Sequence, residues 1–352
     1  MKTASLQITP ELLRLISEID EFKGSWRTLT TLAPDRLATL KKVATIESIG
    51  SSTRIEGSKL TDEEIETLLG KLEKKAFISR DEQEVAGYSD VMETIFNSYQ
   101  SIAVSENYIK QLHAMLLRYS TKDERHRGEY KKLSNSVEAF DIEGKSIGVI
   151  FETATQFDTP MRMQELVYWT REAIADGAWH PLIVIGLFVV VFLEIHPFQD
   201  GNGRLSRTIT TLLLLKAGYG YVTYSSLESV IEQNKEDYYL ALRRTQGTLK
   251  NEDPNYDPWL RFFLRSLKSQ KDRLAKKIEN SIGIEGIHPD CLKIIEQLKI
   301  NIRITTKETE DLIGIPRSTV KSRLSELVNK GILVRNGLGR GSWYSLRTSA
   351  NK

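Results

Sequence analysis

Residues 196–207 read HPFQDGNGRLSR and gather several chemical capabilities in a short span. His196, held at the entrance by Pro197, is of the type that takes up a proton near neutral pH. Asp200 offers a hard oxygen ligand of the sort Mg²⁺ prefers. Gly201 and Gly203 let backbone N–H groups turn inward at the start of a following helix, where amides and helix dipole together attract anions. Arg204 and Arg207 lie three apart, so both project on a similar face and match phosphate oxygens in pairs. Singly, each has an ordinary explanation: a structural histidine, an Asn202-Gly203 turn, a surface arginine. Together they form a base, a metal ligand, an anion nest and two phosphate clamps, the equipment of nucleotide transfer.

A loop of this kind must be positioned by rigid elements. Before it, residues 181–195 (PLIVIGLFVVVFLEI) are apolar on nearly every face and belong to a helix in the middle of a bundle. That helix ends at His196-Pro197, where proline forbids continuation. Residues 205–218 predict the next helix, stopped at Gly218. Pro10 and Pro34 open two N-terminal helical stretches, and Gly57 can stop the second. Thr61 with Glu64 forms a capping box. Further amphipathic helices fit 84–119, 161–177, 227–246 and 257–280. Between Gly128 and Pro160, GKSIGVIF predicts a short β-hairpin near 146–151. A charged stretch, 270–286, reads as a connecting helix, and beyond it three helices and two glycine-flanked strands describe a winged helix-turn-helix. His180 reads as a helix cap, and Trp259, Phe262 and Cys291 as core.

The loop resembles the signature of Fic-domain proteins, HxFx(D/E)GNGRxxR, at every specified position: His196, Phe198, Asp200, Gly201, Asn202, Gly203, Arg204 and Arg207. The wider resemblance covers roughly residues 40–265 and implies a helical bundle that moves AMP from ATP to Ser, Thr or Tyr of a target protein. It implies that His196 deprotonates the acceptor hydroxyl, Phe198 anchors the loop, and Asp200 holds Mg²⁺ between the α- and β-phosphates. It further implies that Gly201, Asn202 and Gly203 cradle phosphate oxygens, with Arg204 on the β- and Arg207 on the γ-phosphate. Residues 52–57, STRIEG, resemble the family's inhibitory pattern (S/T)xxxE(G/N) through Ser52, Glu56 and Gly57. The implied brake is a Glu56 carboxylate paired with Arg207, leaving ATP only a non-productive pose; in some relatives the same glutamate serves removal of AMP. Tyr238 and Tyr239 match a tyrosine pair that lines the adenine pocket, and Gln246 falls where an adenine-contacting asparagine is often found. The hairpin stands where relatives carry a flap that pairs with a target segment, although FETATQ replaces their consecutive prolines. A homodimer is implied by the same analogy.

The expected fold is thus mainly α: a helical bundle with a β-hairpin flap and a C-terminal winged helix-turn-helix. The expected divisions are 1–80 (N-terminal helices with the inhibitory helix), 81–270 (catalytic core), 271–287 (linker helix) and 288–352 (winged helix). The last carries 12 Lys/Arg against 6 Asp/Glu, a balance of +6 that leaves −4 on the rest of a chain whose net charge is +2. Arg317, Ser318, Thr319, Lys321 and Arg323 lie early in a would-be recognition helix, with Arg340 in the wing. Such residues suit DNA, yet +6 is modest for a DNA binder and winged helices also dock proteins. The single cysteine excludes an intrachain disulfide framework. Neither a signal-peptide run nor an apolar stretch of spanning length is evident, so a soluble cytoplasmic protein without membrane partners is expected. Other donors (UMP, phosphocholine, phosphate) and a regulator that merely senses ATP stand as alternatives, and the intact His196 favours the enzyme.

Overall fold

Proline begins α1 (Pro10–Leu29) and α2 (Pro34–Ile55). It suits the first helical position because its φ is preset and its missing N–H would have no partner there. The computed structural model describes all residues except 1, 4–5, 30–33, 71–76, 78, 141–145, 283–287, 338 and 347–352. The expected capping box opens α3 (Asp62–Gly70): Glu64 N donates to Thr61 Oγ1 at 3.2 Å and Thr61 N to Glu64 Oε2 at 2.8 Å. A second box, Ser79 with Glu82, opens α4 (Arg80–Ser98), and Ser105 caps α5 (Glu106–Leu116). The helical stretch expected over 84–119 is therefore two helices with an earlier start.

The hairpin follows as β1 (Ser136–Phe140) and β2 (Ser146–Glu152), antiparallel, with Ser136 opposite Glu152 and register shifts at 137/138 and 139/140. Its paired backbone thus extends beyond the expected 146–151. α6 (Thr159–Asp176) stops on Gly177 in the left-handed region. In α7 (Pro181–Ile195) every residue from Leu182 to Ile195 is buried, as the uniform apolarity required. Each such Val, Leu, Ile or Phe contributes about 1.5–3 kcal/mol of transfer free energy before entropy is subtracted. α7 packs on α6, on α8 (Asn202–Lys216) and on α10 (Lys235–Gln246). α9 (Leu227–Gln233) is separate from α10, although one helix was expected over 227–246. Asn234 divides them at φ −122°, its Nδ2 donating to Val230 O at 2.8 Å; short amides compete locally with the helix ladder in this way. α2 packs against α4 and α9, which brings its C-terminus beside the start of α8. α11 (Asp257–Ile282) completes the series.

The chain divides into two compact units, Met1–Arg273 and Leu274–Lys352. The second contains α12 (Pro289–Ile300), β3 (Ile304–Thr305), α13 (Thr306–Ile313), α14 (Arg317–Asn329), β4 (Leu333–Asn336) and β5 (Trp343–Leu346). Its antiparallel sheet has the order β3-β5-β4. Two strands were expected; the third, β3, is only two residues long and its Ile304 pairs with Tyr344. Cys291, Leu298, Val320, Leu324, Leu327 and Leu333 form the core of this unit. Among the described residues, no helix is long and apolar enough to cross a membrane.

Candidate active site

The 196–207 loop begins with a conformational exception. His196 has φ 52° and ψ 60°, the one non-glycine residue with positive φ among those described. For an L-residue this arrangement costs roughly 1–2 kcal/mol, and it is held by Pro197 and by His196 N donating to Phe192 O at 2.9 Å. The ring Nδ1 faces Leu193 O at 3.3 Å, which places the proton on Nδ1 and leaves Nε2 as acceptor. Burial lowers the imidazole to about 4 and the Lys131 charge adds to this, against opposite pulls from Leu193 O, Glu56 and Asp200. His196 is therefore neutral at physiological pH.

Beyond it the loop closes on itself. Phe198 is fully buried and stacks on His113, with ring centroids 3.8 Å apart. Asn202 Nδ2 donates to Phe198 O at 2.7 Å, and Phe198 N donates to Asn202 Oδ1 at 2.9 Å. The Asn202 amide is thus used within the loop. His113, which no sequence signal singled out, accepts from Gly128 N at 2.8 Å and donates through Nε2 to Asp200 O at 3.0 Å. Its burial lowers its pKa to about 4. Gly201 takes φ 79° to turn the chain into α8. At Gly203 an added Cβ would lie 2.2 Å from Glu56 Oε1, so a side chain there would push the Glu56 carboxylate from its present place.

Four charges form a ring at the start of α8. Asp200 Oδ2 accepts from Arg80 Nη2 at 3.1 Å, and Arg80 Nε donates to Glu84 Oε1 at 2.8 Å. Glu84 Oε2 pairs with Arg204 Nη1 at 3.0 Å, and Arg204 Nη2 returns to Asp200 Oδ1 at 3.3 Å. Burial raises the Asp200 pKa, but Arg204, the Gly201 N–H and Arg80 more than offset it and hold the carboxyl below its usual range. Arg80 and Glu84 escaped the sequence reading because nothing in their spacing marks them.

Arg207 is almost wholly buried, and its Nε donates to Ser52 Oγ at 2.8 Å. Its Nη2 donates to Ser52 O at 3.0 Å and to Glu56 Oε1 at 2.8 Å, while the buried Nη1 has no hydrogen-bond partner among the described residues. Ser52 and Glu56, one turn apart at the end of α2, thus both bond to Arg207, 155 and 151 residues further along the chain. Burial pushes the Glu56 carboxyl up, and Arg207, by charge and hydrogen bond, with Arg204, brings it below its ordinary value. Gly57, at φ 107°, turns the chain away directly after Glu56. The end of α2 is clamped from its other side by Arg54. That guanidinium takes both oxygens of Glu232 (2.7 and 3.1 Å) and Asp62 Oδ1 at 2.9 Å.

Glu56, His196, residues 199–203, Tyr238, Tyr239, Leu242, Arg243 and Gln246 line one cleft of about 180 Å³. A larger cleft of about 410 Å³, beside Arg244, Phe262 and Arg265, contains none of the loop. Tyr238 is buried, its ring centroid 5.1 Å from that of Tyr239 and 5.9 Å from Trp259. Gln246 Nε2 donates to Val190 O at 3.3 Å, and its buried Oε1 has no partner among the described residues. Among the described residues no group of three or more His, Cys, Asp or Glu forms a metal cage. Mg²⁺ needs none, because it is commonly held by one or two carboxylates together with substrate phosphates and water.

Comparison with known proteins covers both the site and the fold. Residues 103–214 match the Fic/DOC family. The chain is 27% identical over 264 residues to a Drosophila grimshawi protein named protein adenylyltransferase Fic, and 28% identical over 264 residues to the protein of that name from Drosophila virilis. Each alignment covers 74% of this chain and 49% of the relative, so the chain spans about half the length of the curated relatives it matches. The crystal structure of a Fic family protein from Desulfovibrio desulfuricans superposes with a TM-score of 0.63 at 22% identity, covering 99% of each chain, and shares the fold. A Fic domain-containing protein from Bacteroides thetaiotaomicron gives 0.59 at 26% identity, over 73% of this chain and 93% of its own. The match over residues 103–214 takes in the complete HPFQD-to-Arg204 segment and Arg207, so the loop singled out by its chemistry lies in the stretch that is similar to the Fic/DOC family.

Proposed function

We propose that this chain transfers AMP from ATP to a hydroxyl of a target protein, and that Glu56 restrains the transfer. One observation carries the reading: a neutral imidazole and an arginine-flanked anion nest share a cleft with Glu56, which is bonded to the buried Arg207. The names of the Drosophila relatives support the reaction class.

In this reaction the acceptor oxygen attacks the α-phosphorus while its proton passes to His196 Nε2. The bond from that phosphorus to the α–β bridging oxygen breaks, and the pair leaves with pyrophosphate. The backbone amides at 201–203 and the N-terminus of α8 stabilise the crowded phosphate charge. Arg204 takes the β-phosphate and Arg207 the γ-phosphate, where the unpartnered Nη1 awaits an acceptor. Asp200, partly exposed and held ionised by its arginines, suits Mg²⁺, which would supply further neutralisation of phosphate charge. Tyr238 and Tyr239 offer ring surface to a base, and the unpartnered Gln246 Oε1 suits an amino donor such as that of adenine. With Glu56 on Arg207, the γ-phosphate must displace a carboxylate to reach its guanidinium. The acceptor segment would pair with an edge of the β1–β2 hairpin. Intact mass spectrometry tests the reading: incubation with ATP and Mg²⁺ should add adenylate masses to the Glu56→Gly chain and few to the unaltered chain. Equal, absent gain in both, with ATP bound, would count against it.

A second role belongs to the C-terminal unit. Arg317, Ser318 and Lys321 are exposed along the first turns of α14, and Thr319 is half-buried, whereas Arg323 is drawn to Glu326 at 3.4 Å. Arg340 lies in the 3-10 turn Gly339–Gly341 between β4 and β5. The exposed Arg317, Ser318 and Lys321 on α14 favour contact with duplex DNA.

A further inference from the structure

Lys131 takes no part in the chemistry above, yet it is only 3% exposed. Its ammonium has three donors and three acceptors: Asn135 Oδ1 at 2.8 Å, Thr153 Oγ1 at 2.9 Å and Ile195 O at 3.0 Å. Its backbone N–H donates to Pro197 O at 2.9 Å. Asn135 in turn donates through Nδ2 to Phe198 O at 2.9 Å, and Thr153 Oγ1 donates to Asn135 O at 2.6 Å. Asn135 immediately precedes β1, and Thr153 immediately follows β2. Ile195, Pro197 and Phe198 bracket His196. The buried Lys131 ammonium therefore joins both feet of the hairpin to Ile195 O, while its backbone N–H and the Asn135 amide hold Pro197 O and Phe198 O, the other two carbonyls around the imidazole. Burying an ammonium is costly, and an apolar side chain would fill the space more cheaply; retention of the charge calls for a reason.

We propose that Lys131 is a positioning residue that locks the β1–β2 hairpin in register with His196, so that a segment paired to the hairpin presents its hydroxyl to the imidazole. The proposal rests on the transfer reading given above. Reaction geometry tolerates little slack, since about 1 Å of misplacement can lower a rate by about a hundredfold. The Lys131 charge acts on His196 as well, opposing protonation of the ring, while Glu56 and Asp200 favour it. Lys131 itself is held between the opposing influences of Glu194 and Arg162, and burial lowers it to about 8, so that it is charged at neutral pH.

The test uses full-length chains in the Glu56→Gly background, carrying Lys131→Met, Lys131→Arg or Asn135→Ala. Deuterium uptake of residues 136–152 and the pH profile of AMP self-incorporation are measured on each. Lys131→Met should speed hairpin exchange about tenfold and slow incorporation about tenfold or more. It should also move the acid limb of the profile to higher pH, because the ring loses a neighbouring positive charge. Lys131→Arg should restore both the limb and most of the protection. Asn135→Ala should loosen the hairpin and leave the limb in place, a separation that a merely structural lysine would not produce. Should Lys131→Met fail to fold, Asn135→Ala and Thr153→Val loosen the same junction with the charge intact. Hairpin exchange and a pH profile unchanged from the parent in Lys131→Met would overturn the proposal. Absence of incorporation in the Glu56→Gly parent would instead overturn the transfer reading, and hairpin exchange would still decide whether the tether exists.

Discussion

At the scale of single residues, the site depends on which groups are charged. His196 is neutral because burial and Lys131 outweigh the carboxylates near it. Glu56 is ionised because Arg207 and Arg204 outweigh burial. The folded-state pKa of Glu56 lies below its ordinary 4.5, so its bond to Arg207 is fully present above that value and is lost only as pH falls through the lower, folded one. The unaltered chain should therefore stay restrained between about pH 7 and about pH 5.5, and incorporation measured across that range should show no acid activation. Removing Glu56 also removes a charge that raises His196, so the acid limb in Glu56→Gly should lie at or below about 4, far under an ordinary histidine. The chemically marked residues were legible in the sequence because one uninterrupted segment carries them. Arg80, Glu84, His113, Lys131 and Thr153 were not, since their partners are distant in sequence and an arginine or threonine in isolation signals nothing.

At the scale of elements, the proposed brake is as firm as the end of α2. Arg54 ties that end to Glu232 on α9 and to Asp62 at the start of α3, with bidentate geometry toward Glu232. Arg54→Ala should release several-fold more incorporation with the cleft residues untouched, and should lower stability by about 1–2 kcal/mol. Activity and thermal unfolding of the same preparation check both; an unchanged rate would show that Arg207 alone holds the helix. The helices on either side of the loop were readable because proline and uniform apolarity are strong signals. The break at Asn234 and the two-residue β3 were not. The first depends on one side chain bonding to Val230 O, and the second on a tertiary partner, Tyr344, forty residues away.

At the scale of the whole molecule, the unit that carries the proposed transfer site is joined to a basic unit with a core of its own. The sequence showed this division as a shift in charge and pattern near 270–290, whereas the compact units part between Arg273 and Leu274, inside α11. If α14 meets DNA, binding to a short duplex should weaken steeply with added salt, and Lys321→Ala should reduce the logarithmic salt slope by about 1. Fluorescence anisotropy at several salt concentrations reads this, and no binding even at low salt would assign the face to another partner. The central claim concerns the first unit, and ATP labelled at the α-phosphate tests it most directly. Three full-length proteins are compared by autoradiography: unaltered, Glu56→Gly, and Glu56→Gly with His196→Ala. The account predicts strong label in the second and little in the first and third. Equal label in the second and third would contradict the role given to His196, and equal label in the first and second would contradict the brake.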